Sequence, residues 1–70
     1  MKKYFVLDWY DDWNDPEFIG EFDTMEEAEE ACDNWEDDTD GECDCIIYYT
    51  EFAKEIQPKI YQMALRKREG

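Results

Sequence analysis

The chain contains a span of fifty residues without positive charge. From Tyr4 to Ala53 there are 19 Asp or Glu and no Lys or Arg. Because charged side chains are rarely buried, we expect the acids of this span to lie on the surface. The 70 residues suffice for one small domain, and a content of 43% hydrophobic and 17% aromatic residues is too high for a disordered acidic segment. We expect a single domain over 1–70, with an acidic body at 4–53 and a basic C-terminal helical segment at 54–70.

The first predicted strand covers residues 3–9, which are rich in β-branched and aromatic side chains. Side chains alternate between the two faces of a strand. One face is therefore expected to carry Phe5, Leu7 and Trp9, and the other Tyr4, Val6 and Asp8.

A second strand is predicted at residues 17–22, after a turn signalled by Asp-Asp, Asn-Asp and Pro16. Alternation places Phe18 and Phe22 on one side of this strand and Ile19 on the other. The two strands are expected to form a hairpin with a long loop.

A helix is predicted at residues 25–36. Thr24 is a good N-cap, and Glu27 completes the spacing of a capping box. An apolar stripe at helical spacing is formed by Met25, Ala28, Ala31, Cys32 and Trp35. Residues 37–42 are expected to form a loop, and residues 43–49 a third strand.

The C-terminal segment has a helical spacing of apolar residues at Phe52, Ile56, Ile60 and Met63. Pro58 interrupts this pattern, because proline lacks an N–H and clashes with the preceding turn. The helix either begins at Pro58, a favoured first position, or consists of two short helices with a kink.

These elements predict a small α+β domain of ββαβ order, with a three-stranded antiparallel sheet, one acidic helix and a C-terminal helical segment. A right-handed crossover would place the third strand beside the first. The acidic helix would cover one face of the sheet through Met25, Ala28, Cys32 and Trp35. We expect the C-terminal segment or a second copy of the chain to cover the other face.

The polar face of the acidic helix is strongly self-repelling. It consists of Glu26, Glu27, Glu29, Glu30, Asp33 and Glu36. Six like-charge pairs at i,i+3 and i,i+4 spacing cost together about 1–3 kcal/mol. Solubility alone needs a net charge of about 2–8 with both signs interspersed, whereas this chain carries −14. The excess favours a surface that binds a strongly basic partner.

The stretch DWYDDWNDPE, residues 8–17, places aromatic side chains among acids. Trp9 continues the alternation of the first strand and is expected in the core. Tyr10 and Trp13 lie in the predicted turn, and tyrosine and tryptophan are enriched at binding hot spots with polar rims. We therefore expect these two residues to anchor a partner.

In size, acidity, an acidic helix on a small sheet, and aromatics among acids, the chain resembles the small acidic DNA-mimic inhibitors of phages and mobile elements, including anti-CRISPR and anti-restriction proteins. DWYDDWNDPE, EEAEEACDNWEDD and DGECD carry the resemblance, which covers residues 8–44. It implies a target site lined by Lys and Arg, where a CRISPR effector reads a PAM or grips duplex DNA. The basic residues within 59–68 depart from a purely acidic mimic. They could fold back on the acidic body, mediate self-association or touch a second surface.

The expected function is thus inhibition of a DNA- or RNA-targeting enzyme through its basic nucleic-acid-binding surface. We expect no direct nucleic-acid binding, membrane contact, cofactor, metal or catalytic residue, and a monomer or homodimer. Without a signal-peptide pattern, a cytoplasmic location is expected, in the host cell if a phage encodes the chain. The expected partner-binding residues are Tyr10, Asp11, Asp12, Trp13, Asp15, Glu26, Glu29, Glu30, Asp33, Glu36, Asp37, Asp38 and Asp40.

Other functions remain open from the sequence. An immunity protein or antitoxin that neutralises a basic nuclease would need the same charge. A calcium-binding module is suggested by EDDTDG at residues 36–41, although position 12 of such a loop is Ile47 rather than Glu. An enzyme is disfavoured by the absence of histidine and of a glycine-rich phosphate loop. The odd number of cysteines (Cys32, Cys43 and Cys45) does not suggest a secreted disulfide framework.

Overall fold

The described part of the chain folds as three strands and three helices. The computed structural model describes residues 1–9, 16–38 and 44–69. The predicted α+β fold is confirmed. The largest difference from the predicted boundaries is at the C-terminal end of the acidic helix, which runs two residues further than expected. In chain order the elements are β1 (Tyr4–Trp9), β2 (Glu17–Phe22), α1 (Met25–Asp38), β3 (Asp44–Tyr49), α2 (Thr50–Ile56) and α3 (Pro58–Glu69).

The sheet has the order β2-β1-β3, and β1 is antiparallel to both neighbours. The other two strands therefore run parallel to each other, and α1 is the crossover that connects them. This order confirms the predicted placement of the third strand beside the first. A helix is the usual connection between parallel strands, because the chain must return to the same end of the sheet.

The central strand β1 has a hydrophobic core on each of its faces. Phe5 and Leu7 are fully buried on one face, together with Ala53 of α2 and Ala64 of α3. On the other face Val6 packs against two residues of α1, Ala28 and Cys32. The sheet is thus the middle layer, with α1 on one side and α2 and α3 on the other. The second face was expected to be covered by the C-terminal segment or by a second copy of the chain, and the structure shows the C-terminal segment there.

Strand β2 contains a β-bulge at Ile19. Val6 pairs with Gly20, but the next residue, Leu7, pairs with Phe18, so Ile19 is an extra residue in β2. A bulge of this kind reverses the alternation of side chains along one strand. The predicted faces of β2 are therefore wrong beyond Ile19.

The bulge changes the positions of three residues of β2. Phe22 packs in the α1 core with Ile19, whereas it was expected on the side of Phe18. Glu21 instead pairs with Phe5 and lies on the side of α3. Gly20 leaves room for the displaced ring, since a Cβ atom at this position would lie 2.9 Å from Cζ of Phe22.

Helix α2 follows β3 directly, and α3 follows after one residue. The Thr50 backbone N–H donates to the Lys3 carbonyl at 2.8 Å, and the Thr50 hydroxyl donates to the Lys2 carbonyl at 2.5 Å. These bonds fix the start of α2 to the segment before β1. Gln57 closes α2 by donating its N–H to the Ala53 carbonyl, and α3 then begins at Pro58. Both predicted features, a helix start at Pro58 and two short helices, are present.

Candidate functional site

Helix α1 begins at a side-chain cap. The Glu27 backbone N–H donates to Oγ1 of Thr24 at 3.2 Å, and the Thr24 hydroxyl donates to Oε1 of Glu27 at 3.1 Å. The Ala28 N–H donates to the Thr24 carbonyl, which starts the helical hydrogen bonds. The predicted N-cap is confirmed. It satisfies one of the N–H groups that the first turn leaves without an intrahelical partner.

The inner face of α1 is narrow and made of small residues. Ala28 is fully buried and Cys32 nearly so, and both pack against Val6 of β1. Met25, which was expected to cover the sheet as well, is 44% exposed. It lies one turn before Ala28, at the end of the helix, where the contact with the sheet has not yet begun. Small side chains at these two positions allow the backbone of α1 to approach the sheet.

The outer face of α1 is a continuous acidic surface, here called the acidic face. Every member has an exposed side chain and comes from a 14-residue helix that contains no Lys or Arg. Members at i,i+3 and i,i+4 lie about 5–6 Å apart between their Cβ atoms. The acidic face consists of Glu26, Glu27, Glu29, Glu30, Asp33, Glu36 and Asp37.

The electrostatics of the acidic face are unfavourable at one end of the helix. Glu26 and Glu27 lie in the first turn, where the helix dipole stabilises negative charge. The last turn has no basic residue and carries acids instead, where the dipole opposes them. Ion pairs join Lys2 to Asp23 and Arg68 to Glu21, and neither pair includes a residue of α1. The fold therefore retains a cluster of like charges at a cost to its stability.

A buried carboxylate holds the C-terminal half of α1 to the sheet. The Trp35 indole Nε1–H donates to Oδ2 of Asp8 at 2.6 Å. Asp8 is fully buried, and its Oδ1 has no hydrogen-bond partner within the described parts of the chain. The sequence does not single out Asp8, although alternation places it on the same face as Val6, towards the helix stripe that contains Trp35. A hydrogen bond to a charged acceptor is stronger than a neutral one, so this contact fixes the orientation of the helix.

Several predicted partner-binding residues lie outside the described residues. The predicted residues of α1 lie together on one helix, and those whose side chains are described are all exposed. The side chain of Asp38 is outside the described parts. Trp9 pairs with Asp44, and Asp8 pairs with Glu17. The strand ends that flank residues 10–15 and 39–43 thus meet at one end of the sheet. The predicted residues outside the description are Tyr10, Asp11, Asp12, Trp13, Asp15 and Asp40.

The basic C-terminal residues lie on the opposite side of the sheet from α1. Helix α3 packs on the face that contains Phe5 and Leu7, and Arg68 forms an ion pair with Glu21 of β2. The β-bulge makes this ion pair possible by turning Glu21 towards α3. Of the three predicted roles for the basic segment, folding back on the acidic body is therefore observed. The protein has an acidic side and a side where its positive charges are concentrated.

The same side of the sheet contains an aromatic hydrogen bond. The Trp9 Nε1–H donates to the Tyr48 hydroxyl at 2.9 Å, and the Tyr48 ring stacks on Phe5 with centroids 5.1 Å apart. Burial raises the pKa of Tyr48 above its usual value of 10.0, and the hydrogen bond from Trp9 partly offsets this increase. Trp9 packs against the core, as expected for the residue that continues the alternation of β1.

Within residues 1–9, 16–38 and 44–69 there is no group of three His, Cys, Asp or Glu side chains that could hold a metal ion. The first three positions of the predicted calcium loop, residues 36–38, form the end of α1, and the loop's remaining positions before residue 44 lie outside this part of the chain.

The described helices also include none that is long and apolar enough to cross a bilayer.

Comparisons with models of protein families, with curated proteins and with solved structures find no match to this chain. The geometry and charge of the acidic face are therefore the basis for a functional proposal.

Proposed function

We propose that the protein inhibits a DNA- or RNA-targeting enzyme by occupying its basic nucleic-acid-binding surface. In the most specific form of the proposal it is an anti-CRISPR protein that mimics DNA and blocks binding of the PAM or of duplex DNA. One observation carries the proposal: the acidic face of α1 presents exposed carboxylates without an interspersed base.

The charge density of the acidic face is close to that of DNA. From Glu26 to Asp37 the helix rises about 16.5 Å, at about 1.5 Å per residue. The face has seven acids over this length, or one charge per ~2.4 Å of axis. Double-stranded DNA has one charge per ~1.7 Å of axis. Lys and Arg side chains that are spaced for phosphates therefore find carboxylates at a comparable density.

The fold holds this array in place before any partner binds. The cap at Thr24, the contacts of Ala28 and Cys32, and the bond from Trp35 to Asp8 fix α1 along its length. A rigid array loses less conformational entropy on binding than a flexible acidic peptide of the same charge. Its field would also attract a basic partner over a distance and make association fast and dependent on salt.

A solvated surface is the simplest competing explanation for so many acids. A solvated surface would not require like charges next to one another in the last turn of a helix, where the helix dipole also destabilises negative charge. A single Lys at an exposed position of α1 would relieve part of this repulsion, and none is present. The uniform sign supports selection for binding rather than for solubility alone.

The test is capture of a partner from bacterial lysates, with the protein immobilised through its N-terminus. We expect a nucleic-acid-binding protein to be retained at low salt and released at about 0.5 M salt, because the attraction between the two surfaces is screened. A DNA duplex of about 25 base pairs containing the PAM should displace the retained protein. If duplex DNA and the inhibitor bind the captured protein together, DNA mimicry is refuted.

A pair of matched variants separates the acidic face from total charge. The first variant replaces both Glu30 and Asp33 by Lys. The second variant replaces Glu51 of α2 and Glu69 of α3 by Lys. Both variants change the net charge by the same amount, and all four side chains are exposed. We expect capture to be lost in the first variant and retained in the second. Equal capture by both would show that the acidic face is only a solvated surface.

The identity of the captured protein decides between the two closest functions. A CRISPR effector whose DNA binding is blocked supports the anti-CRISPR proposal. A nuclease whose cleavage is neutralised would instead support an immunity protein or antitoxin, which uses the same electrostatics on another target.

A further inference from the structure

Helix α2 carries an apolar ridge that its own fold leaves uncovered. Phe52 is 54% exposed and Ile56 is 62% exposed, and they are the most exposed large hydrophobic residues in the described parts of the chain. They are four residues apart and therefore lie on the same side of the helix. Glu51 and Glu55, both exposed, precede each of them by one residue, so the ridge has acidic neighbours.

Helix α3 carries an open groove of the opposite charge. The groove has a volume of about 440 Å³ and is lined by Pro58, Lys59, Gln62, Met63 and Arg66. Met63 and Pro58 supply apolar surface, while Lys59 and Arg66 supply positive charge. The lining residues are spaced three or four positions apart and therefore share one side of α3. Residues that pack against the core, such as Ala64, lie on the opposite side, so the groove faces outward.

We infer that this surface binds the same surface of a second copy of the chain, with the α2 ridge of each copy in the α3 groove of the other. An apolar ridge beside acids fits an apolar groove beside bases. Both halves of the match lie on one molecule, as a two-fold symmetric dimer requires. Ridge and groove adjoin, since only Gln57 separates α2 from α3.

The distribution of charge permits this dimer in spite of a net charge of −14 on each copy. The acidic face of α1 lies on the other side of the sheet from α2 and α3. Contact through α2 and α3 therefore keeps the two acidic faces on the outside of the dimer, where salt screens their mutual repulsion. The dimer does not depend on the proposed function, and it would present two acidic faces to a partner with two sites.

Sedimentation equilibrium of the full chain at about 0.15 M salt tests the inference. The wild type is expected to dimerise over the micromolar to submillimolar range. Ile56→Glu is expected to be monomeric, because it places a charge on the ridge. At a concentration low enough for the wild type to be monomeric, the two circular dichroism melting curves should coincide, since Ile56 is mostly solvent-exposed and only dimerisation adds stability to the wild type. A wild type that stays monomeric at every concentration overturns the inference, as does an Ile56→Glu variant that dimerises normally.

Exchange of charges across the interface tests the arrangement itself. Glu55→Lys alone and Lys59→Glu alone should each weaken the dimer by about tenfold or more, because each places like charges opposite each other twice in a symmetric contact. An equal mixture of the two variants should form a heterodimer of wild-type strength, since every contact then has opposite charges again. Native mass spectrometry distinguishes the heterodimer by mass once one variant is isotopically labelled. Failure of the mixture to associate would refute the proposed pairing of ridge and groove.

Discussion

The repulsion within α1 predicts that one lysine should stabilise the protein. Glu30 is exposed near the middle of the helix and has three acidic neighbours at i,i+3 or i,i+4 spacing: Glu26, Glu27 and Asp33. Each like-charge pair costs about 0.2–0.5 kcal/mol, and each opposite-charge pair contributes a similar stabilisation. Glu30→Lys converts three unfavourable pairs into favourable ones. We therefore expect the free energy of unfolding to rise by about 1–3 kcal/mol.

Thermal unfolding followed by circular dichroism measures this change. A gain of 1 kcal/mol raises the melting temperature of a domain of this size by about 4–8 °C. The gain should be largest at about 10 mM salt and nearly vanish at about 1 M, where the Debye length is only about 3 Å. Glu30→Gln is the matched control, because Gln has nearly the same helix propensity and removes the repulsion without adding attraction. It should give about half of the gain.

Two outcomes would refute this explanation. If Glu30→Lys is no more stable than the wild type at low salt, the carboxylates of α1 do not repel one another appreciably. If it is more stable by an amount that does not change with salt, the gain has a cause other than charge.

Three further perturbations test contacts within the fold. Asp8→Ala removes the charged acceptor of the Trp35 indole and should lower the free energy of unfolding by about 1.5–3 kcal/mol, measured by urea denaturation. The raised pKa of Tyr48 means that folding favours its neutral form. Its contribution to stability should be fully present below about pH 10 and fall as the pH rises further, and Tyr48→Phe should reduce this fall. Gly20→Ala should cost about 1–3 kcal/mol by displacing the Phe22 ring, visible as a shift of the ring's NMR signals.

The sequence predicts most of the secondary structure because its local signals are strong. Alternation in β1 assigns Phe5 and Leu7 to one core and Val6 to the other, and a central strand with two covered faces follows that pattern closely. Thr24 marks the start of α1, and Pro58 marks the start of α3. Each of these signals depends on the backbone geometry of a few neighbouring residues.

The prediction fails where pairing between strands decides the outcome. The bulge at Ile19 depends on the register of β2 against β1, and Gly20 inside EFIGEF is a local signal of a bulge that does not by itself give its position. The misplaced Phe22 and the ion pair of Glu21 with Arg68 both follow from this one extra residue. Met25 likewise has helical spacing but lies beyond the part of α1 that contacts the sheet.

The candidate site is predictable in part. Helical periodicity separates the acids of α1 from its apolar stripe, so the composition of the acidic face follows from sequence alone. The bond from Trp35 to Asp8 was missed, because a buried acid is uncommon and its partner lies 27 positions away. The contributions of Tyr10 and Trp13 stay predictions.

Few side chains of α1 attach the helix to the rest of the fold. Ala28, Cys32 and Trp35 attach the helix to the sheet, whereas the outward positions Glu29, Glu30 and Asp33 have exposed side chains. Those outward positions can therefore be randomised together while the domain still folds. A library built in this way would use the domain as a display scaffold, in which one rigid helix presents new side chains to targets unrelated to nucleic acids.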